Sequence, residues 1–166
     1  RRRTSLTSTM TDVVVPALIT IREIHPGEDA PGLEALLSGL DARSRYLRWF
    51  SGAVDVHRAA RWAAVPERQH ALGLVAVADN EIVGHGVLVP LDDDRAEVAF
   101  EVAESWRHHG IAGGLLDALA AAGRERGLRL LTAEVLAENA DMLAVFREHG
   151  ARCSRGEGVV DVELAI

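Results

Sequence analysis

Ala96-Glu97-Val98-Ala99-Phe100-Glu101-Val102 runs into Ala103 to His109 and then into Gly110-Ile111-Ala112-Gly113-Gly114-Leu115-Leu116. The first seven residues read as a β-strand, and the glycines mark a turn. Leu115, Leu116, Leu119 and Ala122 then repeat at helical spacing, carrying a helix from Gly110 to Arg126. A strand that turns through glycine into a long helix aims free N–H groups and a positive dipole end at one point. Anions, phosphates above all, bind at such a point. Glu97 and Glu101 are four residues apart and so share one face of the strand. A phosphate cradle beside carboxylates suits a cofactor held next to a base, which points to an enzyme.

Upstream, Leu18 to Glu23 alternates as a strand. Pro26-Gly27-Glu28-Asp29 turns the chain and Pro31 suits a first helical position. Leu33, Leu36, Leu37 and Leu40 follow at helical spacing. Asp41 to Phe50 and Val54 to Val65 read as two more short helices. In the first of these, Arg43, Arg45, Tyr46, Arg48 and Trp49 line an acceptor side, or else Tyr46, Leu47 and Phe50 pack inward with the arginines in water. His70 to Ala78 and Ile82 to Val89 are strands joined by a tight turn at Asp79-Asn80. Pro90 to Asp94 is a turn, with Asp92, Asp93 and Asp94 in solvent. Gly127 sits where a helix ends, Leu130 to Val135 is a strand, and Asn139 to His149 is a helix closed by Gly150. Ala151 to Arg155 and Val159 to Ala165 are the last strands. The order predicts an α/β (α+β) fold: a mixed, mostly antiparallel sheet with one parallel pair around the Gly110 helix, and flanking helices.

The chain has 166 residues, 48% of them hydrophobic, which fits one domain with a real core. Its 25 acidic and 18 basic residues leave a net charge of −7. That balance argues against nucleic-acid binding and suits a cationic substrate. Cys153 is the only cysteine, so no intrachain disulfide forms, as a reducing cytoplasm would have it. Residues 1–12, with Arg1-Arg2-Arg3 at the start, read as a flexible tag or linker and 13–166 as the domain. No stretch is long enough to span a membrane. His108 and His109 are adjacent on a turn, with no Cys or carboxylate at ligand spacing, so no metal is expected.

Arg107-His108-His109-Gly110-Ile111-Ala112 resembles the Gln/Arg-x-x-Gly-x-Gly/Ala motif of the GNAT N-acetyltransferases, with Arg107, Gly110 and Ala112 matching directly. Asn139, Met142 to Phe146 and Gly150 resemble that family's next block, and the likeness covers about 18–166. Leu40 to Phe50, Ala96 to Phe100, and Ala133 to Asn139 with Met142-Leu143 look like Pat-type bacterial protein lysine acetyltransferases. Those enzymes act on acyl-CoA synthetases and similar metabolic proteins and are often joined to a regulatory domain.

The resemblance implies acetyl-CoA as co-substrate and a splayed parallel strand pair that admits it. The amides from His108 to Gly114, through Ile111, Ala112 and Gly113, would hold the pyrophosphate; Arg107 would add charge to a phosphate or stand solvated, and His108 and His109 attract less as neutral imidazoles until a bound phosphate favours their protonation. Val102, Ala103 and Glu104 would pair their backbone with the pantetheine arm. Glu97 stands where related lysine acetyltransferases have their catalytic glutamate. A lysine amine has a reference pKa of about 10.4, so roughly one in 2,500 is neutral at pH 7 and a base must remove its proton. Glu101 would add negative charge toward a cationic substrate. Asn139 caps the last helix and, by the resemblance, also touches the coenzyme. Phe146, also counted among the coenzyme-contacting residues, replaces a tyrosine that in many relatives gives a proton to the leaving thiolate, which phenylalanine cannot do. The implied acceptor is a reactive protein lysine. A small amine (aminoglycoside, polyamine or amino acid) and a catalytically weak acyl-CoA-sensing module are the alternatives.

Overall fold

A computed structural model describes residues 18–166. The expected flexible segment 1–12 lies outside them. The elements are β1 (Thr20–Glu23), α1 (Ala30–Gly39), α2 (Ala42–Trp49), α3 (Val56–Ala63), β2 (Leu72–Ala78), β3 (Glu81–Pro90), β4 (Arg95–Val102), α4 (Ile111–Glu125), β5 (Leu130–Leu136), α5 (Ala140–Glu148), β6 (Arg152–Arg155) and β7 (Val159–Ala165). Short 3-10 turns at Pro66–Gln69 and Glu104–Trp106 are additions that the hydrophobic pattern does not announce.

The seven strands form one sheet in the order β1-β2-β3-β4-β5-β7-β6. Every pairing is antiparallel except β4 with β5. This is the expected fold class. Asp79 and Asn80 both take positive φ (50° and 64°), the two-residue turn whose twist matches a hairpin.

The sheet is covered on both sides, which explains the unbroken apolar run of β2. On one face α4 packs Leu115, Leu116 and Leu119 against Leu74, Ala76, Val98 and Phe100. On the other, Leu33 of α1 and Ala63 of α3 cover Val75. Side chains alternate along β4, so Ala96, Val98, Phe100 and Val102 are buried toward α4. Glu97, Ala99 and Glu101 therefore face the side of α1, α2 and α3. The positions that matter for chemistry thus sit on the face opposite the main core.

Of the two orientations open for α2, the one with Tyr46 and Phe50 packed inward and the arginines in water is not found. Ser44 is buried and Arg48 half-buried, while Tyr46 and Phe50 are exposed. Its inward face is polar because it meets carboxylates rather than hydrocarbon, as described below.

Candidate active site

The parallel contact between β4 and β5 lasts three residue pairs, ending at Glu97 and Thr132. Beyond them β4 stays on β3 through Val102, and β5 stays on β7. The strands splay and leave a cavity of about 730 Å³. The Ala103 N–H donates to the Val83 carbonyl at 2.9 Å. By strand alternation the main-chain groups of Phe100 and Val102, beyond the last parallel pair, then face the gap, free to pair with an extended ligand.

At the end of β4 the chain turns through Glu104–Trp106 and enters α4 by way of His108 (φ 62°) and Gly110 (φ 78°). The first amide satisfied inside the helix is that of Gly114, which donates to the Gly110 carbonyl at 3.0 Å. Among the described residues, the amides of 108–113 have no hydrogen-bond acceptor. No side chain caps this end. His108, Gly110, Ile111, Ala112 and Gly113 line the cavity, so unpaired donors and a helix dipole meet there. Gly110 needs its left-handed backbone, where a side chain would be strained although space is open around it. Gly113 and Gly114 also meet a packing demand: a Cβ would lie 3.2 Å from His149 on Gly113 and 2.9 Å from Ile21 on Gly114.

Other residues expected at the coenzyme are engaged elsewhere. The amide of Ala103 belongs to Val83, and the chain has left strand geometry by Glu104, so of these three only Val102 offers a free main-chain edge. The Glu104 carboxylate accepts from the Asp41 N–H (3.0 Å) and the Ser44 hydroxyl (2.5 Å). Partial burial works against its charge, but these hydrogen bonds outweigh it and hold the carboxyl below its ordinary value. Arg107 lines the cavity yet donates to Ser44 at 2.7 Å, tying the loop to α2. The His109 Nδ1–H donates to the Arg107 carbonyl at 2.8 Å, and its ring rests against Trp106. His109 does not line the cavity. Asn139 caps α5, accepting from the Met142 N–H at 3.3 Å, and lines the cavity. Phe146 is 2% exposed and packs on Phe100 with ring centroids 5.4 Å apart, presenting hydrocarbon to the cavity.

A second cavity of about 310 Å³ lies on the face of β4 toward α1, α2 and α3. Leu37, Trp49, Ala59, Trp62, Val87 and Val89 give it an apolar lining. Glu97, Ala99, Glu101 and Arg48 line both cavities. Glu97 is exposed and its side chain has no hydrogen bond or ion pair among the described residues. An unpartnered carboxylate on a shared wall can take a proton from a group in one cavity while a reagent sits in the other.

Glu101 differs. It is 6% exposed, with Arg48 Nε at 2.6 Å on one oxygen and His85 Nδ1 at 2.7 Å on the other. Burial pushes the carboxyl up, but Arg48 and His85 outweigh it and hold it at about 2. Its charge is thus compensated inside the protein, not held open toward a cationic substrate as expected. The sequence reading missed His85. Its one signal was a polar residue in an otherwise apolar strand, two residues from either end of Gly84-His85-Gly86 being hydrophobic. Register, which no local pattern gives, sets it opposite Glu101. Among the described residues no three His, Cys, Asp or Glu side chains are grouped to hold a metal.

The model of the acetyltransferase (GNAT) family matches residues 39–151. This chain belongs to the GNAT family. The GNAT domain of S. lividans PAT superposes with a TM-score of 0.78 at 29% identity, over 88% of this chain and 89% of that one. The yncA acetyltransferase of Salmonella typhimurium, solved with acetyl-CoA, superposes at 0.69 with 14% identity, over 89% and 92%. Ribosomal-protein-alanine N-acetyltransferase of Brucella melitensis gives 0.68 with 22% identity, over 89% and 99%. No curated protein sequence matches the chain. GNAT membership accounts for the splay between β4 and β5 and for the glycine turn, both of which lie within the matched residues.

Proposed function

We propose that this GNAT chain is an acetyl-CoA-dependent N-acetyltransferase that acetylates lysine side chains of proteins by direct transfer. The observation that carries the reading is Glu97, unpartnered, on the wall shared by the two cavities. The larger cavity, with unpaired amides at 108–113 and a free main-chain edge from Phe100 to Val102, suits a diphosphate followed by an extended arm. Acetyl-CoA, when bound, supplies the activated acetyl group. The amides of 108–113 hold its pyrophosphate, and the inner edge of β4 orients the arm. Glu97 takes the proton of the incoming amine, directly or through water. Main-chain N–H groups near Val102 stabilise the developing oxyanion.

The acceptor follows from the second cavity. With Glu101 already paired to Arg48, Glu97 remains as the one uncompensated carboxylate among those lining it. The lining is otherwise apolar. One cation on a hydrocarbon stem fits that arrangement better than a polycationic aminoglycoside or polyamine, which would need several carboxylates. Likeness to the S. lividans PAT domain supports the same choice.

The test is Glu97→Gln assayed with a lysine peptide and acetyl-CoA. Unchanged coenzyme affinity with turnover lowered roughly 100-fold to 10,000-fold is the expected result. A rate like that of the unsubstituted chain would refute Glu97 as base.

A further inference from the structure

We propose that Arg48 binds substrate: the free edge of its guanidinium takes a carboxylate of the acceptor, so that the lysine acetylated here carries an acidic residue within two positions of it. This rests on the reading that a protein lysine reaches Glu97, and adds to it the chemistry of that lysine's neighbours. Arg48 lines both cavities. Its Nε donates to a Glu101 oxygen at 2.6 Å, and the guanidinium carbon lies 5.3 Å from the centroid of the Trp49 ring. The other Glu101 oxygen is held by His85 Nδ1 at 2.7 Å, so the carboxylate that anchors Arg48 is itself fixed. These contacts orient the guanidinium and use one of its five N–H donors. The Nη1 and Nη2 groups make no hydrogen bond among the described residues. They are open to solvent: the side chain is 20% exposed, and among the described residues the one sealed side-chain polar atom without a partner is His85 Nε2. Two parallel N–H donors on a fixed plane match the two oxygens of a carboxylate.

Charge around the second cavity favours the same partner. From Asp41 to Arg68 the chain has six arginines against Asp41, Asp55 and Glu67, an excess of three positive charges in a chain of net charge −7. Arg43 is paired with Glu138, and Arg45 donates to the Leu40 carbonyl. Arg58 of α3 is exposed, and its side chain has no hydrogen bond or ion pair among the described residues. It stands one helical turn before Trp62, which lines the second cavity. The acceptor side thus joins one uncompensated carboxylate, Glu97, to a rim with surplus positive charge. A lysine flanked by acidic residues complements both, whereas a lysine flanked by arginines is repelled. The reach is sufficient. Arg48 is tied to Glu101, which stands about 13 Å from Glu97 along the strand. A lysine side chain, one Cα-to-Cα step of about 3.8 Å and a glutamate side chain together extend over roughly that length.

The experiment uses the whole chain, acetyl-CoA and two peptides with a single lysine. One carries glutamate at the two positions on each side of the lysine, the other glutamine. The expected result is a kcat/KM about tenfold higher for the glutamate peptide, carried by KM. Arg48→Lys keeps a positive charge against Glu101 but has no forked edge. In that variant the ratio falls to about threefold or less, while the KM for acetyl-CoA holds. Because the ratio compares two peptides on one protein, loss of folded chain lowers both rates alike and leaves it unmoved. A ratio near one in the unsubstituted chain overturns the proposal and leaves the lysine reading standing; acetylation of neither peptide overturns both. An undiminished ratio in Arg48→Lys, with or without a rise in the KM for acetyl-CoA, overturns the assignment to Arg48. Nα-acetyl-lysine, as free acid and as amide, supplies the last arm. A preference for the free acid with none between the peptides would put the carboxylate on a free amino acid, and that too overturns the proposal.

Discussion

On one side of β4 the cleft presents main chain: unpaired amides at 108–113, a left-handed glycine, and a strand edge freed by the splay. On the other side it presents side chains: Glu97 alone, and Glu101 locked between Arg48 and His85. The two sides differ in what holds them in place. A main-chain cradle is fixed by backbone conformation and tolerates many side chains around it. A side-chain trio is fixed by charge balance and fails when one member goes. The coenzyme half of such a site is therefore set by fold, and the acceptor half by the residues peculiar to this chain.

The contrast breaks most sharply at Glu97, where Gln should leave coenzyme binding intact and cost two or more orders of magnitude in turnover. Equal loss of binding and rate would mean that the two halves are not separable. Next in size is Glu101→Ala. It leaves Arg48, 20% exposed, without its partner and should destabilise the fold by about 3–5 kcal/mol in chemical denaturation. Simultaneous replacement of Arg48 by Met should recover much of that loss.

Acid gives a third handle. The Glu101 carboxyl is held below its ordinary 4.5, at about 2. A depressed carboxyl contributes stability that is present above its unfolded value and is lost as pH falls toward the folded one. Unfolding free energy should therefore drop by on the order of a few kcal/mol between about pH 4.5 and about pH 2. Glu101→Gln should flatten that slope. A profile identical in the two proteins would show that this carboxylate is not held as described.

On the main-chain side effects should be smaller. Gly110→Val forces a β-branched residue to a φ near 78° and should weaken coenzyme A binding about tenfold, consistent with strain of about 1–3 kcal/mol. Smaller still is Asn139→Ala, which removes the α5 cap and should cost about 1 kcal/mol of stability. If Asn139→Ala also weakened coenzyme binding tenfold, the residue would be more than a cap.

The same contrast governs what could be read from the residues alone. Element order, the tight turn at Asp79-Asn80, the parallel pair and the glycine-marked helix start all follow from local pattern, because backbone conformation leaves a local trace. The trio does not. His85 and Glu101 are sixteen residues apart and meet only through the register of β3 and β4. Arg48 joins them from a helix whose own pattern left two faces open, the arginines toward the acceptor side or in water. Gly113 and Gly114 read from the sequence as keeping the first helical turn open for the anion; the Gly113 amide stays in the cradle, while the Gly114 amide is taken by the Gly110 carbonyl, and both positions lack room for a Cβ beside His149 and Ile21. Glu104 looked like strand edge until the 3-10 turn took it to Ser44 and Asp41.

The claim that most of the account rests on is that backbone amides at 108–113 grip a diphosphate. Amide proton and nitrogen shifts followed during a coenzyme A titration test it directly. The account predicts saturable shifts at residues 108–113, reached at about tenfold higher coenzyme A in Gly110→Val. Saturation with shifts confined to other parts of the chain, or no shifts at all, would contradict it.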